Sequence, residues 1–600
     1  MKKAQKNQEL KPITGWLQYR IEILLALCSF IAYYPVLSNA FIDWDDLKYI
    51  TENPITRDLS FQGILNMFSQ PVMGNYHPLT MLSLAINFAI SGASPMGYHL
   101  TNLILHILNV VLVLQVLRRL GLSEMAAVAG AALFGLHPLH VESVAWAAER
   151  KDVLYTAFAL LAWIGFLKFR SDESKPKYLI HALLFFVAAC LSKGMAVTLP
   201  VLLLAGEILT NRHKPLAAWM KFFIPFVLIS LIFGAIAVWA QRVQGGMRMD
   251  YDIDFITRCV IAAKGYFFYL YTTWVPIGLC AIYPYPADVS ALPVSWYLQA
   301  LAGITIFLVG AVMAFKNRII AFVWLGYSGV IFPVLQHLPV GDAVAADRYF
   351  YLASIPVFAG IGYLLQMLHT RIGNQVKLPA FALAAALMVL TWLQSARWKD
   401  ELTLFGHSVN HYPEAAVAWN NMGAILQRQQ RFPEAIDMYE KAIAIRPQYT
   451  TALCNVGISY GRTGDMVKAV IMLERSIASD STHAESYGNL GNAYVMQGKR
   501  LEALRLFEKA VELNPKYVES WFNLGIYYRE DKNPVLAAQH FRKAIEFRPQ
   551  FHEAWWSLSA VLFEMNDRKA AIDAARKAAS YGNAQAAEWI RVNQLDQRIF

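Results

Sequence analysis

The apolar residues of this chain follow two patterns that meet near Arg397. Up to residue 396 they form runs of about 20, the length that an α-helix needs to cross a bilayer. Beyond that point charged and apolar residues are mixed, and basic and acidic residues are nearly equal in number. The pattern predicts a cytoplasmic N-terminal segment at 1–20, a membrane domain at 21–396 and a soluble domain after it.

Eleven apolar runs predict membrane-spanning helices. They lie near 21–40, 98–117, 124–142, 153–169, 178–192, 195–210, 221–240, 296–315, 319–336, 349–367 and 378–395. Because basic loops belong on the cytoplasmic side of a bilayer, the N-terminus is predicted inside and the acidic loop 41–97 outside. An odd number of spans places the soluble domain outside as well, provided that 256–283 does not cross the bilayer.

The soluble domain repeats with a period of 34 residues, which is the tetratricopeptide period. Small residues at two positions let paired helices touch, and a proline ends the second helix. The period is carried by Gly423, Gly457, Gly491, Gly525 and Ser559, and by Ala435, Ala469, Ala503, Ala537 and Ala571. We predict a half-repeat connector at 397–414, five repeats at 415–584 and a C-terminal cap at 585–600.

An asparagine column shares this period. Its members are Asn421, Asn455, Asn489 and Asn523, two residues before each small position. Such a column can line the concave groove of an array and hydrogen-bond an extended peptide. Helix packing is the alternative role, because asparagine is common at this position. The column therefore predicts a protein or peptide partner without proving one.

The distribution of basic residues argues against a nucleic-acid partner. The chain has 600 residues, 56% hydrophobic and 16% charged, with a mean hydropathy of +0.35 and a pI near 9.1. Its basic surplus lies in short loops between apolar runs, where the positive-inside rule explains it. The partner indicated by this pattern is the lipid bilayer. The five cysteines show no paired spacing, so neither a disulfide framework nor a zinc pattern is predicted.

Ionisable and polar residues from separate segments collect at the predicted outer face, and this is the candidate site. Such groups are costly at membrane depth and usually face an interior cavity. The residues are Asp45, Asp46, His77, His99, His137, His140, Glu142, Arg150, Asp152, Lys193 and Arg348. An aspartate can activate a hydroxyl as general base, while Arg and Lys offset the charge of a phosphate leaving group.

Simpler roles stay open for these residues. Adjacent in sequence, Asp45 and Asp46 point in different directions, so only one is expected to be the base, and both could instead end a loop or cap a helix. The histidines at 137 and 140 could merely end a helix at the interface, and Arg348 could be an interfacial anchor. No cofactor is certain: a divalent metal stays open, with its ligands unknown, because the histidine spacing is not diagnostic.

Six motifs precede the repeats in a fixed order, and they are WDDLKYITENP at 44–54, NYHPLTMLSLAIN at 75–87, GYHLTNLILHILN at 97–109, HPLHVESVAWAAERKDVL at 137–154, LSKGMAVTLP at 191–200 and ADRYFYLAS at 346–354. Together with the repeats, they resemble the transmembrane and tetratricopeptide repeat family of O-mannosyltransferases. The resemblance implies an all-α chain, namely a polytopic membrane bundle of the C-type glycosyltransferase kind followed by a tetratricopeptide solenoid. It also implies a polyprenyl-phosphate donor of mannose or a similar hexose and a protein hydroxyl acceptor.

The resemblance further assigns roles to residues. An acidic residue of the first external loop acts on the acceptor, which corresponds to Asp45 or Asp46. A basic residue near a later outer loop meets the lipid phosphate, which corresponds to Arg348, with Lys193 and Arg150 as further candidates. Only five full repeats and no N-x-S/T sequon favour a bacterial relative. We therefore predict a bacterial inner (plasma) membrane protein with periplasmic repeats.

Two other functions compete with this inverting protein glycosyltransferase. A non-enzymatic, membrane-anchored scaffold for envelope assembly would use the repeats alone, and it does not require the outer-face acids and cations to converge. A transporter would carry charges across the membrane midplane, whereas here they are confined to one face. The sequence also shows neither a glycine-rich phosphate loop nor a hydrolase elbow.

Overall fold

The computed structural model describes residues 19–210, 216–243, 253–286, 289, 291–337, 341 and 343–593. Contacts between Cα atoms divide the chain into two units between Ala415 and Ala416. In the described ranges the regular structure is helical apart from two very short strands and an isolated bridge. The predicted all-α class is therefore confirmed.

The first unit contains sixteen α-helices within the described residues. They are α1 (Arg20–Tyr33), α2 (Phe61–Ser69), α3 (Pro78–Ser91), α4 (Pro95–Arg119), α5 (Glu124–Leu136), α6 (Val141–Ala145), α7 (Arg150–Ser171), α8 (Lys177–Cys190), α9 (Leu199–Thr210), α10 (Leu216–Val243), α11 (Phe255–Trp274), α12 (Val294–Ala314), α13 (Arg318–Ile331), α14 (Phe350–Ile372), α15 (Lys377–Arg397) and α16 (Glu401–His411).

Among the described residues six helical stretches are long and apolar enough to cross a membrane. They are Arg20–Ser38, Pro95–Arg119, Ala147–Ser171, Met220–Val243, Val294–Ala314 and Asp347–Arg397. The shorter apolar helices are Pro78–Ser91, Glu124–Leu136, Lys177–Cys190, Gly194–Thr210 and Arg318–Val334. Every predicted apolar run falls on one of these stretches, but the loop predicted at 41–97 also contains an apolar helix, α3. The segment 256–283 holds the 20-residue α11, so the number of crossings stays a prediction.

Helix α7 is the centre of the first unit. It lies in the candidate membrane span Ala147–Ser171, whose apolar part is 78% buried within the protein. The apolar parts of the other five candidate spans are at most 50% buried. Helix α7 packs on α4, α8 and α9, and Gly165 lets α8 approach so closely that a Cβ there would stand 3.2 Å from the carbonyl oxygen of Tyr178. The charged residues that open α7 are therefore carried into the interior.

Two short strands join distant parts of the first unit. Strand β1 (Tyr283–Pro284) pairs antiparallel with β2 (Ala343–Ala345), and Tyr283 lies opposite Ala345. The pairing places the loop after α11 beside the turn before α14. That turn carries Asp347 and Arg348.

The second unit consists of eleven helices within the described residues. They are α17 (Ala416–Arg428), α18 (Phe432–Ile445), α19 (Thr450–Thr463), α20 (Met466–Ser479), α21 (Ala484–Met496), α22 (Arg500–Leu513), α23 (Val518–Glu530), α24 (Pro534–Phe547), α25 (His552–Glu564), α26 (Arg568–Ser580) and α27 (Ala584–Val592). The first ten form five pairs, and each helix packs on the next along the chain. Helix α16 lies in the predicted half-repeat connector and is part of the first unit.

The periodic small residues set the spacing within each pair. A Cβ on Gly525 would stand 2.5 Å from a ring carbon of Phe541, and one on Gly491 would stand 2.6 Å from Phe507. The fifth repeat differs, because it has a larger residue at the glycine position and a smaller residue opposite. It has Ser559 at the glycine position and Ala575, rather than a bulky side chain, at the position facing it.

Candidate active site

Four segments of the first unit converge on one site, namely the turn after α1, the stretch from α6 into α7, the turn before α9 and the turn before α14. The last three supply a group of buried and partly buried charges that we call the charge cluster, and its members are Glu142, Glu149, Lys151, Asp152, Lys193 and Arg348. The turn after α1 carries Asp45 and Asp46. Of the predicted residues, the structure thus brings together Glu142, Asp152, Lys193 and Arg348.

Glu149 is the hub of the charge cluster. Its Oε1 lies 3.0 Å from Lys151 Nζ and 3.5 Å from Arg348 Nε, while its Oε2 lies 3.3 Å from Lys193 Nζ. The Lys193 ammonium also lies 2.5 Å from Asp152 Oδ1. Asp152 accepts a further hydrogen bond at 3.2 Å from Ser143. One carboxylate therefore positions three cations from three segments.

Arg348 is held twice by Glu142. Its backbone N–H donates to Glu142 Oε2 at 2.9 Å, and its guanidinium pairs with Glu142 Oε1. The guanidinium carbon also lies 5.4 Å from the centre of the Trp146 ring, a cation–π distance. These contacts fix the guanidinium in one place.

The cations are more exposed than the carboxylates that hold them. The side chains of Arg348, Lys193 and Lys151 are 19%, 12% and 9% exposed, whereas those of Glu142 and Glu149 are 2% exposed. The acids therefore lie behind the cations. Such an arrangement orients positive charge toward an incoming anion, because donors fixed beforehand need no reorganisation when negative charge develops.

Asp45 and Asp46 differ sharply in their surroundings. Asp46 is fully buried, and its two carboxylate oxygens accept hydrogen bonds from Ile42 N at 2.8 Å and Ala148 N at 2.7 Å. It thereby ties the predicted loop 41–97 to the turn just before α7. Asp45 is half-buried, and its carboxylate accepts no hydrogen bond from any described residue.

The pKa values of both aspartates are raised. Burial raises the pKa of Asp46 to about 7 against the opposing effect of its two backbone hydrogen bonds. Burial also raises the pKa of Asp45, and the charges of Lys151 and Arg348 oppose that rise. A carboxylate near these cations with a raised pKa is a better proton acceptor than an ordinary aspartate.

Aromatic rings border Asp45. Trp44 stacks on Trp146 with ring centres 5.1 Å apart and meets Phe405 edge-on at 5.7 Å. Trp146 in turn lies 5.9 Å from Trp398. Since Trp146 also carries the Arg348 guanidinium, this stack links the acidic loop to the charge cluster.

Arg150 lies apart from the charge cluster. It is fully buried, and its guanidinium donates to Asn102 Oδ1, to Ser83 Oγ at 2.9 Å and to the carbonyl of Tyr98 at 2.9 Å. Its neighbour Lys151 takes part in the charge cluster instead. Arg150 thus joins α3 and α4 to α7.

The four predicted histidines are all buried but occupy different places. His77 lies nearest the charge cluster, 5.4 Å from the ring of Tyr49, and burial together with the charge of Lys151 lowers its pKa to about 3. His99 is buried against the backbone of Ala40. The ring nitrogens of His137 lie within hydrogen-bond distance of Thr273 O and Leu139 N. Those of His140 lie within hydrogen-bond distance of Phe134 O and Ser354 Oγ. These last two therefore serve packing.

Sequence reasoning assigns no specific role to Glu149, Lys151, Trp44 or Trp146. One signal was available for the first two, because Glu149 to Asp152 form a run of four charged residues at the start of an apolar helix. Such a run inside a membrane domain is costly unless its members are paired. Which cation pairs with which acid depends on the convergence of Lys193 and Arg348 from distant segments.

The predicted histidines form no metal-binding cluster in the part of the chain that the structure describes. Among the described residues one group of three side chains that could ligate a metal lies close together, Cys280, His407 and His411. That group does not include any member of the charge cluster.

The asparagine column lies on the first helix of each repeat, half-buried. Asn455 Nδ2 donates to Asn420 Oδ1 at 3.3 Å, and Asn523 Nδ2 donates to Asn492 Oδ1 at 2.7 Å. Asn489 donates to the carbonyl of Glu485 and Asn421 accepts from Asn420. Each amide keeps further hydrogen-bonding capacity.

Comparison with known proteins covers both units. Tetratricopeptide repeat family models match residues 414–482 and 489–550. Protein O-mannosyl-transferase F38B6.6 of Caenorhabditis elegans is 25% identical over 452 residues, which cover 70% of this chain and 62% of the relative. Human protein O-mannosyl-transferase TMTC4 is 25% identical over 438 residues, 61% of this chain and 57% of the relative.

A shorter match is more similar. Drosophila melanogaster protein O-mannosyl-transferase Tmtc1 is 33% identical over 193 residues, 30% of this chain and 22% of the relative. The chain thus spans less than two thirds of the length of each of these relatives. A match over 70% of the chain must nevertheless extend beyond the repeats into the first unit. The matches and the repeat array confirm that this chain resembles the transmembrane and tetratricopeptide repeat O-mannosyltransferases.

Proposed function

We propose that this protein is an integral-membrane glycosyltransferase. It moves mannose or a similar hexose from a polyprenyl-phosphate carrier to Ser or Thr of a protein held by the repeats. The observation that carries this proposal is the charge cluster, in which buried acids hold the partly exposed Arg348 and Lys193 and the buried Lys151 beside the half-buried Asp45. A scaffold does not need such convergence, so the cluster favours the enzyme over that alternative.

The cations take the donor phosphate. Arg348 can offer a planar guanidinium to two phosphate oxygens, while Lys193 and Lys151 act as point charges. Their acidic partners are more deeply buried, so the exposed side of each cation is the side an anion meets. The negative charge that develops on the leaving phosphate is thereby stabilised.

Asp45 is the general base in this proposal. It removes the proton from the acceptor hydroxyl as the oxygen attacks the anomeric carbon opposite the phosphate. The carbon–oxygen bond to the phosphate breaks, the new glycosidic bond forms, and the configuration inverts. Asp46 is a poorer candidate, because both of its oxygens are occupied by backbone N–H groups that hold the loop.

The tetratricopeptide array supplies the acceptor in this proposal. Its first helices carry the asparagine column, whose half-buried amides could bond the backbone of an extended peptide. An acceptor bound through its backbone would leave its Ser and Thr side chains free to react. Residence in a bacterial inner membrane with periplasmic repeats remains part of the proposal.

The decisive test compares three asparagine variants of one loop. Asp45→Asn should reduce transfer from a synthetic polyprenyl-phosphate mannose to a peptide by about 10²- to 10⁴-fold, the usual contribution of a general base. Asp46→Asn should mainly reduce the amount of folded protein, because an amide cannot accept from both Ile42 and Ala148 without turning its NH₂ toward a donor. The exposed Asp58→Asn is the control and should leave transfer unchanged.

Mass spectrometry of envelope glycopeptides extends this test to cells. A strain that lacks the chain should lose hexose from Ser or Thr of specific proteins, and the wild-type gene should restore it while the Asp45→Asn gene should not. Unchanged glycopeptides in the deletion strain, once redundant transferases are removed, would reject protein glycosylation and leave the scaffold.

The pH dependence gives a second test of the base. Asp45 must be ionised to accept a proton, and burial raises its pKa. We therefore expect kcat/KM to fall as the pH is lowered through that raised pKa, with the acid limb above the value of about 3.9 for an ordinary aspartate. An acid limb below that value would contradict a buried base.

A further inference from the structure

The last helix of the first unit presents two histidines to a cysteine. His407 and His411 lie four residues apart on α16, so they share one helix face. Their ring centres are 4.3 Å apart, and His407 Nδ1 lies 3.5 Å from the sulfur of Cys280, in the loop after α11. One donor atom from each of the three side chains lies within 4.8 Å of the others.

We propose that Cys280, His407 and His411 bind one transition-metal ion of the zinc class. Two imidazole nitrogens and a thiolate are ligands that zinc and copper accept, whereas magnesium and calcium prefer oxygen. With bonds of about 2.3 Å to sulfur and about 2.0 Å to nitrogen, tetrahedral zinc places such ligand atoms roughly 3.5 Å apart. The Cys280–His407 distance already has this value, and a small rotation of His411 would complete the set.

Three details indicate a prepared site. The His411 Nδ1 lies 3.1 Å from the carbonyl of His407, a hydrogen bond that leaves Nε2 as the free ligating nitrogen. The His407 Nδ1 is the nitrogen that faces the sulfur of Cys280, so this ring already directs a ligating atom toward the cysteine. Gly278 adopts a φ of +70°, and a Cβ there would approach His411 to 3.2 Å.

A metal here would join α16 to the segment that carries Arg348. The backbone N–H of Cys280 donates to Tyr283 Oη at 3.1 Å, and that hydroxyl donates to Asp347 Oδ1 at 2.8 Å. The next residue is Arg348. The ion would thus fix the loop, the strand pair and the turn before α14 relative to one another. This role does not depend on the proposed glycosyl transfer.

Cobalt(II) is the probe that tests the proposal, because a thiolate ligand gives it a charge-transfer absorption band. The full chain in detergent, stripped with a chelator and kept reduced, should bind one Co²⁺ with this band, and Zn²⁺ should displace it. The band should be lost in Cys280→Ser, and affinity should fall more than about 100-fold in His407→Asn and His411→Asn. Cys190→Ser and His369→Asn, outside the cluster, should behave as wild type.

Two results would overturn the proposal. One is a wild-type chain without the thiolate band, and the other is an unchanged band in Cys280→Ser. If Cys280→Ser does not fold, His411→Asn decides, since His411 is exposed and its replacement should not disturb the packing. Wild-type affinity in that variant would also reject the site.

Discussion

The ion pairs of the charge cluster in the first unit are buried within the protein, whereas the ion pairs of the second unit lie along exposed helix faces. Glu149 and Lys151 are 2% and 9% exposed, while the pair of Glu512 and Lys509 is 68% and 42% exposed. Exposed pairs gain little energy because water screens them. A buried pair gains more from each contact but loses the hydration of both charges.

The comparison shows which contacts hold each unit together. The repeats are held by small residues against large ones at a fixed period, so their charges can vary with little consequence. The charge cluster is held by ion pairs instead: each acid pairs with a cation from another segment, and Glu149 also pairs with Lys151. A buried network of this kind is retained for what it positions, and here it positions cations at a partly exposed face.

Removing the hub carboxylate should give the largest effect. Glu149→Gln keeps the shape of the side chain but leaves Lys151, Lys193 and Arg348 without their common partner. Breaking a buried pair costs about 3–5 kcal/mol, which should appear as a large fall in the apparent melting temperature of the full chain in detergent. Glu512→Gln, the same change in an exposed pair, should leave the melting temperature unchanged. Equal changes of melting temperature in the two variants would contradict the proposed difference between buried and exposed ion pairs.

Exchanging one repeat contact should give an intermediate effect. Gly525→Ser places a side chain against Phe541 and should cost about 1–3 kcal/mol by overpacking. Adding Phe541→Ala copies the Ser559 and Ala575 pair of the fifth repeat, so the double variant should lose less stability than the two single variants together. A coupling of about 0.5–3 kcal/mol is expected between residues in contact.

The outcome to look for is non-additivity in thermal unfolding. The control combines Gly525→Ser with Phe507→Ala, since Phe507 faces Gly491 in another repeat and should not relieve the strain. If both combinations are equally additive, the pairing of small and large residues does not set the helix spacing.

The second unit could be predicted almost completely from the sequence because its contacts are local. Gly525 and Phe541 are 16 residues apart, and the same spacing recurs in each repeat, so one rule describes five helix pairs. The exception at Ser559 is also visible, because Ala575 changes with it. Helix α16 has the spacing of a half-repeat and lies in the first unit, so the half-repeat connector stays a prediction.

The charge cluster could be predicted only in part. Membrane cost identifies Glu142, Asp152, Lys193 and Arg348 as members of a site, because each is ionisable beside an apolar run. The same argument cannot predict which of Arg150 and Lys151 belongs to the charge cluster. The two are neighbours on one helix turn, yet Arg150 bonds to Tyr98 whereas Lys151 pairs with Glu149. That difference depends on which way α7 is rotated against α4, and no periodic pattern fixes that rotation in a helix buried on nearly every side.

The asparagine column should give the smallest effect on stability and the clearest distinction between packing and binding. Asn523→Ala removes the hydrogen bond to Asn492 and should cost about 0.5–1.5 kcal/mol. Asn492→Ala breaks the same bond from the other side without altering the column, so its cost should be similar. If the column binds the acceptor backbone, only Asn523→Ala should also weaken the affinity of the full chain for acceptor peptide, measured by fluorescence anisotropy. Equal affinities in the two variants would assign the column to helix packing, because the broken bond would then account for everything that the asparagine does.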